Sequence, residues 1–138
     1  MRSRHVTALL VATVVAASPA TAGAAGFVAR LEAPNHNPTA GKLWYITVSA
    51  RTASGRPLRA TAYYEYRYNG QKVATRNPSP NDPRDSSGGP RPWAFKGSYK
   101  DGILWPERAA GIPLTFRVVV KVKGMGTRNL DWKVVVRR

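Results

Sequence analysis

Apolar and polar side chains alternate along the stretch from Gly111 to Lys123. Leu114, Phe116, Val118, Val120 and Val122 fall on one parity, and Thr115, Arg117, Lys121 and Lys123 on the other, with Val119 as the apolar exception. Period two predicts a β-strand with one buried face. The flanking Gly111 and Pro113, the β-branched residues and the missing i, i+3, i+4 apolar spacing argue against a helix. A strand of this length needs neighbours on both sides, and the same alternation recurs elsewhere.

From Phe27 to Ala33, Phe27, Ala29 and Leu31 oppose Arg30 and Glu32. From Lys42 to Arg51, Trp44, Ile46, Val48 and Ala50 face inward, with Tyr45, Thr47 and Ser49 outward. The next run, Leu58 to Tyr68, is aromatic, with Ala62, Tyr64, Tyr66 and Tyr68 against Tyr63, Glu65 and Arg67. Asn69-Gly70 then has the chemistry of a tight hairpin, since both residues tolerate positive φ, so Gln71 to Arg76 should return antiparallel. Trp93 to Lys100 resumes the alternation, with Gly97 marking a bulge or close approach. Leu130, Trp132, Val134 and Val136 form the inward parity of a last strand.

Between these runs lie turn residues. Pro34 to Gly41, Thr52 to Pro57 and Gly124 to Asn129 are connections, and Asp101-Gly102 reads as a turn. Glu107 to Ala110 fits one helical turn. The prolines of Asn77 to Pro92 are wrong for a ladder and predict a mobile surface loop. Seven strands at this spacing predict an all-β, antiparallel, seven-strand sandwich in a single domain, without internal repeat or heptad.

The first 25 residues stand apart. Met1 to His5 is a short cationic start, Val6 to Ala17 is an apolar and small-residue run, and Ala20-Thr21-Ala22 and Ala22-Gly23-Ala24 satisfy the small-x-small rule. This is the pattern of a signal peptide over residues 1–25, cleaved near 22–25, with the domain over 26–138. The apolar run falls short of the roughly 20 residues of a spanning helix. The expected product is therefore secreted or associated with the cell envelope, with no membrane span after the signal is removed.

Charge and cysteine narrow the chemistry. The chain carries a formal charge of +15, and losing Arg2 and Arg4 with the leader leaves +13. That favours polyanions in a salt-dependent way, or serves solubility alone. The chain has no cysteine, so an exported fold would rest on its apolar core, and thiolate chemistry is excluded. His36, in a proline-flanked turn, is expected to be solvent-exposed rather than catalytic. The acidic residues are scattered; Glu65 and Asp131 should meet Arg67, Arg117 and Lys133 in ion pairs rather than act as an acid/base pair. Asn81, Asp82, Asp85, Ser86 and Ser87 lack the ligand spacing of a calcium loop. No nucleophile elbow, phosphate loop or His-rich metal spacing is present. No enzymatic activity, cofactor, metal site or specific nucleic-acid partner is expected.

The strand order resembles immunoglobulin-like and fibronectin type III-like sandwiches. The closest local likeness is Leu104-x-Pro106 followed by Gly111-x-x-x-x-Phe116-x-Val118-x-Val120, which is similar to the turn and penultimate strand of fibronectin type III domains. With its leader and basic, cysteine-free composition, the chain looks like the small exported immunoglobulin-like domains of actinobacteria, many without assigned function. The cysteine pair of antibody-type domains is missing, and Phe116 stands where a corner tyrosine would be expected. The resemblance carries no binding residue, and Trp44 would serve as the central core aromatic.

If the strands pair as in those folds, Tyr63, Arg67, Arg117, Lys121, Lys133 and Arg137 share one solvent face. Cations interleaved with an aromatic can hold a phosphate or sulfate polymer, although cations outside and apolar residues inside is also an ordinary solvated face. The expected role is a non-catalytic interaction or structural module, with an anionic wall polymer or another envelope protein as partner. The alternative is salt-sensitive binding of anionic polymer or carbohydrate, with Trp93 and Trp105 as candidate sugar-stacking residues.

Overall fold

The computed structural model describes residues 20–23 and 26–138. Among them are nine strands: β1 Ala20–Gly23, β2 Val28–Glu32, β3 Leu43–Arg51, β4 Arg59–Tyr68, β5 Gln71–Arg76, β6 Trp93–Lys96, β7 Ser98–Leu104, β8 Pro113–Val122 and β9 Gly126–Val135. A 3-10 turn, Glu107–Ala109, sits where one helical turn was expected. Every ladder between named strands is antiparallel. One sheet runs β1-β2-β3-β7; the other runs β5-β4-β8-β9, with β6 also on β4.

The two sheets face one another across a single apolar core. Trp44, Ile46 and Val48 of β3 meet Tyr64 of β4 and Phe116, Val118 and Val120 of β8. Phe116 is its hub, with ring centroids 5.8 Å from Trp44, 4.9 Å from Tyr64, 5.8 Å from Tyr66 and 6.0 Å from Trp105. Alternation in sequence becomes burial because period two sends each parity to one side of its sheet.

The expectation of seven strands changes at two places. β1 lies inside the stretch expected to be a leader, and pairs Ala20–Gly23 with Val28–Leu31; residues 1–19 and 24–25 of that expected leader lie outside the described residues. A cut near 22–25 would leave β2 as the sheet edge. The second change is at Gly97. The expected single strand Trp93–Lys100 divides there, so that β6 pairs with β4 in one sheet and β7 with β3 in the other. Gly97 has φ +79° and bridges the sheets by donating to Leu58 O at 2.9 Å and accepting from Ala50 N at 2.8 Å. Its backbone conformation is one that glycine adopts without steric cost.

Three turn expectations are corrected, the first at Gly124 to Asn129, where β9 already begins at Gly126 and pairs Gly126 to Asn129 with Val122 to Val119. Asp101-Gly102 is not a turn but lies inside β7, where Asp101 pairs with Ile46 and is buried. The side chain stays there because the Tyr64 hydroxyl donates to Asp101 Oδ2 at 2.7 Å and the Gly102 N–H to Oδ1 at 2.8 Å. The segment Asn77 to Pro92 is irregular, as expected, but tied down at several points. Arg76 Nη2 donates to Asp85 O at 2.6 Å, Gly89 N to Asn77 O at 3.2 Å and Ser79 N to Asp101 Oδ2 at 3.4 Å. Glycine is required at Gly88, where a Cβ would come within 2.6 Å of Arg76 Cγ and Asn77 O.

The outer edge of β9 is covered by the turn-rich connection after β2. Val135 N donates to His36 O at 2.9 Å and Arg137 N to Pro38 O at 2.8 Å. His36, exposed as expected, stacks on Trp132 with centroids 4.4 Å apart, and its Nδ1–H donates to Lys133 O at 2.7 Å.

Candidate functional site

The register of β4, β8 and β9 lays out the solvent side of their sheet as four rows. They are Thr61–Lys121–Thr127, Tyr63–Val119–Asn129, Glu65–Arg117–Asp131 and Arg67–Thr115–Lys133. Five of the six expected face residues, Tyr63, Arg67, Arg117, Lys121 and Lys133, therefore lie on one surface. The sixth does not. Arg137 follows β9, donates from Nε to Asn37 O at 3.1 Å, and lines a separate groove. Its displacement follows from the connection that pairs with its backbone.

Charges on this face are unevenly balanced. Arg117 makes a two-pronged contact with Asp131 at 2.7 and 3.0 Å, and Arg67 Nη1 donates to Glu65 at 2.7 Å. Asp131 holds the Arg117 guanidinium above its already high ordinary value. The Tyr63 hydroxyl reaches Glu65 Oε2 at 3.4 Å, and burial, reinforced by that carboxylate, pushes the phenol up. The centre of the face is thus an internally neutralised network. The ends are different: Lys121 and Lys133 have no ion-pair partner among the described residues, which corrects the expected pairing of Lys133, because Arg117 takes both oxygens of Asp131. Six positions along β8 separate their rows, roughly 20 Å at strand rise.

At the Lys121 end the face deepens. Thr61, Tyr63, Val119, Lys121 and Thr127 join Arg91 and Pro92 of the long loop around a basin of about 560 Å³. Two cations without carboxylates in the lining, two hydroxyls and a phenol ring suit a phosphate or sulfate group carried on a larger body. Sequence pattern alone missed Arg91, because a proline-rich loop has no period from which its position could be read.

A second basic groove, about 590 Å³, lies on the other sheet. Lys42, Lys100 and Arg137 line it with Tyr45, whose ring sits 5.0 Å from Lys100 Nζ. Glu32 is the acidic group in that lining. Three ion pairs are formed among the described residues, so most of the cations face solvent without one.

One cluster of perturbed titratable groups is enclosed. Burial pushes the Asp101 carboxyl up against the downward pull of Tyr64, Gly102 and Arg76. Tyr64 and Tyr99, linked by a 3.2 Å hydroxyl contact, are raised by the same burial. This cluster joins the two sheets. Among the described residues no group of three or more His, Cys, Asp or Glu side chains could hold a metal ion. Asp85 instead accepts from Ser87 N and Oγ within its own turn, which holds its carboxyl below the usual range.

The sugar-stacking expectation is corrected for Trp105, which is 2% exposed and packed edge-on against Trp44, Tyr66 and Phe116. Trp93 is half-buried against the core. Comparison with protein-family models and with curated proteins gives no match.

Proposed function

We propose that the chain is a secreted, non-catalytic interaction module with an immunoglobulin-like sandwich fold, which holds an anionic polymer of the cell envelope along its basic sheet face. The fold reading is supported by the division of strands: β2, β3 and β7 share one sheet, and β4, β8 and β9 share the other. Secretion rests on the leader pattern of residues 1–25.

The observation that carries the polymer reading is the placement of the unpaired cations. Lys121 with Arg91, and Lys133, lie at opposite ends of a neutralised network, so a small anion could not reach both. A chain of phosphates or sulfates spans roughly 20 Å with several repeats, and would touch each end while passing over Tyr63 and Val119. Such binding is electrostatic and weakens as salt rises.

The test uses the chain from Gly26 to Arg138, with heparin and a poly(glycerol phosphate) as probes, titrated from low to high salt. Charge reversal at Arg91, Lys121 and Lys133 should lower affinity at least tenfold in low salt and flatten the salt dependence. Removing the paired Arg117 as Arg117→Gln should change affinity less than threefold. Affinity that is indifferent to salt, or unchanged in the triple variant, would remove this reading.

A further inference from the structure

The inward side of the β4-β8-β9 sheet is filled by Tyr64, Phe116, Val118, Leu130 and similarly large groups, but β5 breaks the pattern. Its inward residues are Ala74, opposite Tyr66, and Arg76, opposite Tyr64. Alanine on an edge strand cannot reach across to the other sheet. The result is a cavity of about 530 Å³ between β5 and the Pro106–Ala109 turn. Tyr66, Trp105 and Leu114 line its apolar side; Arg76, Arg108 and Ser86 contribute polar groups.

Two features of this cavity are unusual for an unfilled packing defect. Trp105 is 2% exposed and Arg76 is 8% exposed, yet Trp105 Nε1 and Arg76 Nε have no hydrogen-bond partner among the described residues. A buried N–H left without an acceptor destabilises the fold that holds it. Arg76 is otherwise well held, since Nη2 donates to Ser79 Oγ at 3.0 Å and Asp85 O at 2.6 Å. The lining offers two guanidinium groups and two serine hydroxyls but no carboxylate. Its volume lies within the range of small-molecule sites, and a mostly apolar cavity with a few convergent polar groups is the usual form of one.

We infer that this cavity binds a small anion with an aromatic or alicyclic body, a carboxylate or sulfonate. The body packs on Tyr66, Trp105 and Leu114. The acceptor oxygens face the Ser86 and Ser87 hydroxyls and Arg108, which at the exposed rim adds to the positive charge of Arg76. This site is independent of the polymer-binding face: it lies on the other side of the sheet and selects an apolar body as well as charge.

The probe is naphthalene-2-sulfonate, with 2-naphthol and 2-naphthylmethylammonium as neutral and cationic counterparts, added to the chain from Gly26 to Arg138. The four tryptophans give four indole N–H resonances in a proton–nitrogen correlation spectrum; Trp105→Phe identifies one of them. Titration with the sulfonate should move the Trp105 resonance and saturate below about 1 mM, with the counterparts binding at least tenfold more weakly. Ala74→Leu fills the notch from an exposed edge and should abolish the shift. Arg108→Gln, at an exposed side chain, should weaken binding about three- to tenfold. Heparin should not displace the sulfonate. No saturable shift would show that the cavity holds water only and would overturn the inference. Equal binding of all three probes, or a shift surviving in Ala74→Leu, would overturn it as well.

Discussion

Replacing Asp101 tests the joint that holds the two sheets and the long loop together. The side chain is 2% exposed and accepts from Tyr64 at 2.7 Å, Gly102 at 2.8 Å and Ser79 at 3.4 Å. Asp101→Ala strands the Gly102 N–H and deprives the Tyr64 hydroxyl of its acceptor. At about 1–3 kcal/mol for each unpaired donor, with some lost packing, the cost is about 3–5 kcal/mol. For a domain of this size that is a fall in Tm of roughly 12–20 °C. Urea denaturation followed by tryptophan fluorescence measures it. A loss below about 1 kcal/mol would show that the network relaxes or fills with water.

Asp101→Asn isolates the charge. Burial, the largest influence, raises the carboxyl in the folded chain, so the native state binds its proton more readily than the unfolded state. The contribution of Asp101 to stability is therefore fully present below the ordinary carboxylate value of 3.8, and is lost as pH rises through the raised folded value. Wild-type stability minus that of Asp101→Asn should fall over that window and then level off. A difference that grows with pH would mean that Tyr64, Gly102 and Arg76 outweigh burial.

Phe116→Ala removes a fully buried ring that meets four other aromatic side chains. It should cost about 3–5 kcal/mol in urea denaturation, with Phe116→Leu costing markedly less. Gly97→Ala should cost about 2 kcal/mol, because alanine is strained at φ +79°. Its Cβ would also come within 2.9 Å of Pro57 Cβ. A denaturation midpoint matching that of the parent would show that the sheet crossover does not need glycine.

The strands were readable because burial on one side writes a period-two pattern into the residues. Thr61 to Arg67 and Thr115 to Lys121 placed the solvent face, and oppositely charged neighbours on it announced the ion pairs of Arg67 and Arg117. Pattern failed where a residue's environment comes from a distant segment. Asp101-Gly102 has turn chemistry in isolation, yet Tyr64 makes it part of a strand. Arg76 looks like a surface cation on an edge strand, but Ser79, Asp85 and the Gly88 backbone close over it. Arg137 continues the parity of the last strand, and backbone pairing with Pro38 and Ala40 takes it elsewhere. Gly97 was legible as an irregularity; that the chain changes sheets there depends on which partner each half finds.

The loop Asn77 to Pro92 connects the two proposed sites physically. Its end gives Arg91 and Pro92 to the basin beside Lys121, and its middle gives Ser86 and Ser87 to the cavity beside Trp105. Upstream of these points it is anchored at Ser79 and Asp85 by Arg76 and at Ser79 by Asp101, both buried and both facing the inter-sheet space. A sandwich whose sheets needed only to be joined could use a short turn. Burying an arginine and a carboxylate carries a desolvation cost that an apolar pair of similar volume would avoid. What these two charges secure is the position of the loop, and so of the groups it lends to each site. Their placement makes sense if the loop is the functional element of the domain and the two sheets are the frame that holds it.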